Sequence, residues 1–181
     1  MRTAREAGWL RRDLLWERLM EAGLAAAARG AAGAARRRFR LAHLLACAGF
    51  APDDLRRASA AANLAILHMA AGRAGRAERY QAQALAVWRG AEDQVAAMAV
   101  APRSRSSLFH LRMEALHRDT YHANLRTRVL RITSEAEETL RSLTAPLPPA
   151  HRHAARWRGE KPAVFDGTRK VLGASLLILD R

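Results

Sequence analysis

Residues 58–91 read ASAAANLAILHMAAGRAGRAERYQAQALAVWRGA, and this stretch decides the fold. It reads as two helices, the first ending at Gly72 and the second at Arg89-Gly90, joined through Gly72-Arg73-Ala74-Gly75. An earlier stretch can be laid on it. Gly30-Ala31-Ala32-Gly33-Ala34-Ala35 matches Gly72-Arg73-Ala74-Gly75-Arg76-Ala77 at an offset of 42 residues. In the same register Gly23 matches Ala65, and Ala42 matches Ala84. Small residues thus fall where two antiparallel helices cross, because close helix packing needs small side chains and a sharp turn needs glycine.

The surrounding sequence predicts an all-α chain. Half of the 181 residues are apolar, many of them Ala, the best helix former. Helices are expected at about 7–28, 34–48, 56–71 and 75–88, with Asp53 or Asp54 capping the third. A short apolar segment at 94–100 ends before Pro102. Residues 103–145 hold neither Gly nor Pro, and Leu125, Val129, Ile132, Ala136, Leu140 and Leu143 form a stripe at steps of three and four. That stretch is one long helix or breaks at Thr133-Ser134, where Ser134 and Glu137 have capping-box spacing. Ala145-Pro146-Leu147-Pro148-Pro149 reads as a stiff linker. A basic stretch with Arg152, Arg156, Trp157 and Arg158 follows, then a short closing helix capped by Asp166. The expected division is a helical domain at 1–145 and a linker, basic stretch and docking helix at 146–181. Cys47 sits in an apolar helical stretch and is expected in the core.

In residues 58–91 the chain resembles the tetratricopeptide repeat (TPR) family, a 34-residue helical-hairpin unit. The resemblance rests on Asn63-Leu64-Ala65, Leu67, Gly72, Ala77, Tyr80 and Ala84-Leu85. Residues 16–49 resemble a more degenerate unit through Leu19, Ala22, Gly23, Gly30, Ala35, Phe39 and Ala42. The family implies a short solenoid, in which residues 92–145 supply a third layer. It also implies a protein–protein adaptor or scaffold whose concave groove is lined by the first helix of each unit. Carried over, that groove holds Met20, Leu24, Ile66 and Met69, an apolar face that receives the chain's own closing helix or an amphipathic partner helix. Asn63 is the one polar group on it of the sort that grips a C-terminal carboxylate, and it is expected to bond a neighbouring helix instead. A second similarity, to the helical regulatory domain of bacterial transcriptional activators, rests on Ala84–Gly90 and the charged helix at 108–125.

Chemistry-bearing patterns are sparse, and no catalytic group, metal or cofactor is expected. His110, Glu114 and His117 share a helix face, but Glu-x-x-His occurs once where a di-iron bundle needs two with further carboxylates. His117-Arg118-Asp119 has no phosphate loop or strand lysine beside it. The net charge is +14, and 29 of the 31 basic residues are arginine. An anionic partner is one reading, either an acidic protein face or nucleic acid. Mutational bias toward arginine is another. The candidate anion-binding residues are Arg36, Arg37 and Arg38 with Arg40, then Arg126, Arg128 and Arg131, and the stretch with Arg152, Arg156 and Arg158. The N-terminus has no apolar signal region and no run spans a membrane, so the expected setting is the cytoplasm. The expected function is an adaptor or assembly factor, with a nucleic-acid-linked regulatory module as the alternative and a helix-borne metal enzyme as the third reading.

Overall fold

Two glycines punctuate the chain at the expected places. Gly30 has φ 73° and Gly72 has φ 70°, the left-handed conformation that glycine adopts without strain. At both, the next residue's N–H reaches back to close the helix end, Ala31 to Ala26 and Arg73 to His68, each at 2.9 Å. The two turns are therefore the same device used twice, 42 residues apart.

The computed structural model describes residues 10–91, 118–145 and 161–173. Among them are six helices and no strand: α1 (Arg11–Ala28), α2 (Ala32–Gly49), α3 (Leu55–Ala70), α4 (Ala74–Arg89), α5 (Arg118–Thr144) and α6 (Lys161–Gly173). The pairs α1–α2 and α3–α4 are helical hairpins, and α2 packs on α3 to join them. The long α5 lies against α3 and α4. The closing α6 lies against α1, α3 and α5.

The small residues sit at the crossings. Ala42, Ala65 and Ala84 are fully buried, and Gly23 lies so close to the Phe39 ring that any Cβ there would overlap it. Phe39 thus fills the space that Gly23 leaves, and this fixes how near α1 and α2 approach. α3 is the centre of the protein. From Ala58 to His68 every residue is buried, as befits a helix with neighbours on all sides. Burial of Leu64, Ile66 and Leu67 contributes roughly 1.5–3 kcal/mol each.

Capping explains the entry to α3. The Asp54 side chain accepts from Arg56 N at 2.9 Å. Arg56 then donates to Asp54 and to Asp13 in the first turn of α1, and its guanidinium lies 3.3 Å from the Phe50 ring centroid. One buried arginine so ties the starts of α1 and α3 together.

Some expectations are narrowed and others corrected. Of the two readings left open for 103–145, the unbroken one holds over the described part: α5 runs through Thr133-Ser134, and Thr133 is buried and donates to Leu130 O within the helix. Asp166 is not a cap, since α6 begins at Lys161 with Pro162 in its first turn, where a missing N–H costs nothing. Cys47 is exposed, because Ala42 and Ala46 carry the buried face of α2 and Cys47 falls beside it. Asn63 donates to Ser59 O in its own helix at 3.0 Å and not to a neighbour. The expected segment at 94–100 and the linker at 146–149 lie outside the described residues.

Candidate functional site: an arginine-lined cleft

The second helices of the two hairpins carry the site. α2 supplies Arg36, Arg37, Arg40 and His43; α4 supplies Arg76, Arg79 and Tyr80. His68, near the end of α3, forms part of the lining between them. Together they line a cleft of about 580 Å³ with five arginines and no acidic residue. No ion pair among the described residues neutralises these five arginines. Arg79 Nε makes one long contact, to Gly75 O at 3.4 Å.

Three rings hold the cleft together. The His68 ring stacks on Tyr80 with centroids 5.6 Å apart and planes 6° apart. His43 meets Tyr80 edge-on at 5.4 Å. His68 is 95% buried, its exposure being 5%, and its Nδ1 has no hydrogen-bond partner among the described residues. Burial is the first cause that holds the His68 ring below its ordinary pKa, and the charges of Arg36, Arg73 and Arg76 add to it. His43 is lowered too, by burial and then by the charge of Arg57, and its Nε2 lies 3.6 Å from Cys47 Sγ. Both rings therefore favour the neutral form beside a positive cleft.

The rim adds an apolar element. Leu41 and Leu44 are 49% and 54% exposed on α2, where Arg37, Arg40, Leu41 and Leu44 share one face by their spacing.

The sequence-derived candidates divide. Arg36 and Arg37 line the cleft, while Arg38 is exposed and outside its lining. Arg131 is exposed on α5, 4.0 Å from Glu135. The side chains of Arg126 and Arg128 lie outside the described residues, as do Arg152, Arg156 and Arg158 and the helix-face group His110, Glu114 and His117. Met20 and Ile66 are buried in the core, and Leu24 and Met69 are half-buried. The α1 and α3 helices that carry them are packed by α6, whose Gly167 faces Ile66 and Leu143 and whose Val171 O accepts from Ser59 Oγ at 3.2 Å.

Arg76, Arg79, His43 and His68 were not among the candidate site residues read from the sequence, and Tyr80 was read only as part of the repeat resemblance. One signal was present: at the 42-residue offset Arg37 falls on Arg79, so the two hairpins carry a cation at the same place. Among the described residues no group of three or more His, Cys, Asp or Glu is placed to hold a metal, and no helix is long and apolar enough to cross a membrane. Comparison of the chain with protein-family models, with curated proteins and with solved structures finds no match.

Proposed function

We propose that this chain is a protein–protein interaction adaptor of stacked, TPR-like helical hairpins that receives an acidic amphipathic helix of a partner on the outer face of α2 and α4. The observation that supports it most is the arginine set, which no ion pair among the described residues neutralises, beside exposed Leu41 and Leu44. An acidic flank would be steered to the arginines, and two apolar side chains would supply the contact that holds it. Arginines without counter-charges raise the association rate of an acidic partner, and salt weakens that effect.

The test is fluorescence anisotropy with a labelled helical peptide carrying leucines on one face and glutamates beside them. Binding is expected to fall at least tenfold in Leu41→Ser with Leu44→Ser, and to weaken with salt. A peptide with the same glutamates but no leucines is expected to bind at least tenfold more weakly. Equal binding of the two peptides would overturn the reading. A single-stranded oligonucleotide in parallel covers the nucleic-acid alternative, which the +14 charge favours. Tighter binding of the oligonucleotide than of the peptide would replace the adaptor reading with that one.

A further inference from the structure

The cleft has the build of a ligand site in its own right, and this inference goes beyond the adaptor reading because it needs no protein partner. We infer that the α2–α3–α4 cleft binds a compact ligand carrying two or more phosphoryl groups.

Charge is the first argument. Five arginines lining about 580 Å³ repel one another, and no acidic residue in the lining offsets them. The fold holds them there through α2 and α4. Local preference runs the other way. A helix start favours acids, yet neither α2 nor α4 has an acid in its first turn, and Arg76 sits in the first turn of α4. The helix starts therefore add a field of the same sign as the arginines. Arg76 is placed against this local preference, and such a position marks a place where something else compensates.

The ligand's class follows from geometry. A guanidinium fork matches two phosphoryl oxygens, and a diphosphoryl group brings several negative charges into a volume where a dicarboxylate brings two. The cleft volume lies within the range of small-molecule sites. A nucleic-acid strand would need an open aromatic face for its bases, and one face of Tyr80 is already covered by His68. His68 Nδ1 is the buried, unpartnered polar atom in this lining. The groups bearing on His68 are Arg36 from α2, Arg73 from the turn, and Arg76 and Tyr80 from α4; Arg57 bears on His43. Burial still disfavours the His68 proton, but neutralising the arginines with an anion lifts the repulsion that Arg36, Arg73 and Arg76 add to it, so binding raises the proton affinity of His68.

The test is titration calorimetry of the full chain with inorganic pyrophosphate at low chloride. One-to-one binding is expected, at least tenfold tighter than succinate, and at least tenfold weaker in Arg40→Gln with Arg76→Gln. Arg131→Gln, on α5, is expected to leave it unchanged. The leucine-bearing acidic peptide, which carries no phosphoryl group, is titrated in parallel, so failure of either reading can be told from failure of the other. Pyrophosphate sheds protons of its own on binding arginines, so calorimetry in buffers of different ionisation enthalpy is read as a difference: net proton exchange is expected to shift toward release in His68→Phe relative to the parent. Circular dichroism melts report whether each variant is folded. A nucleoside diphosphate and a doubly phosphorylated peptide, titrated in parallel, separate a free ligand from a modified protein segment, and the nucleotide is expected to bind more tightly. Tighter binding of the peptide would overturn the small-ligand assignment. Pyrophosphate binding no tighter than succinate, or untouched in the folded double arginine variant, would overturn the site.

Discussion

Arg56 at the start of α3 is ion-paired with Asp13 in the first turn of α1, and both side chains are 7% exposed. Each also has a second partner: Arg56 binds Asp54, and Asp13 accepts from Leu10 N at 2.7 Å. A buried pair of this kind adds little over an apolar pair of equal volume, but removing one partner strands the other charge out of water. Arg56→Met is therefore expected to cost about 3–5 kcal/mol. Asp13→Leu added to it should recover much of that loss, because no buried carboxylate is then left unpaired at α1. Urea denaturation midpoints of the two variants check this. Equal loss in the single and double variants would show that packing on Phe50, not charge, governs the site.

Gly23 and Gly75 make a matched pair for the crossing geometry. A Cβ at Gly23 would overlap the Phe39 ring, whereas nothing lies within 4 Å of one at Gly75. Gly23→Ala is expected to destabilise by roughly 1–3 kcal/mol through overpacking, despite the gain in helix propensity. Gly75→Ala is expected to be neutral or to stabilise by up to about 1 kcal/mol. Thermal melts of both proteins decide it, and a stabilised Gly23→Ala would mean that α1 and α2 are not held at this spacing.

The hairpins were legible because their signals are local. Gly30 and Gly72 had to be turns, and Gly23, Ala42, Ala65 and Ala84 had to be crossings, since no other residue serves as well there. The buried centre was not read as such: Ile66 and Met69 were taken for one face of a groove, although from Ala58 to Gly72 the sequence holds no Asp, Glu, Lys or Arg, which is what a helix surrounded by neighbours requires. The cleft was not legible. His68 and Tyr80 stack across two helices, and Arg36 meets the field of Arg76 only after the hairpins are stacked. Such pairs depend on tertiary packing, which spacing along one helix does not report. Cys47 was misplaced for a related reason, as its apolar neighbours Leu41 and Leu44 are themselves on the exposed side of α2.

Acid should weaken the fold through His68 and His43. Both are lowered below 6.5 in the folded protein, so the unfolded chain binds more protons as pH falls. The stabilisation is complete above about pH 6.5 and is lost as pH drops through the folded values. His68→Phe keeps an aromatic ring on Tyr80 and removes one titrating group. Its denaturation midpoint is expected to fall less between pH 7.5 and 5.5 than that of the parent. An identical fall would assign the pH dependence to other groups.

The last prediction separates the closing helix from the cleft. α6 packs on α1, α3 and α5, with Val171 fully buried and Gly167 close enough to Leu143 that a side chain there would displace it. α6 touches the hairpins on α1 and α3, while the cleft is built from α2 and α4 with His68 at the end of α3. Gly167→Val should therefore loosen α6, uncovering the apolar face with Ile66, and leave the arginines where they are. The expected signs are faster amide hydrogen exchange in 161–173, stronger binding of an apolar dye, and a stability loss of about 1–3 kcal/mol. Pyrophosphate affinity should stay within twofold of the parent. A variant that loses both together would show that α6 and the cleft form one cooperative unit, coupled through α3, which packs on α6 and carries His68.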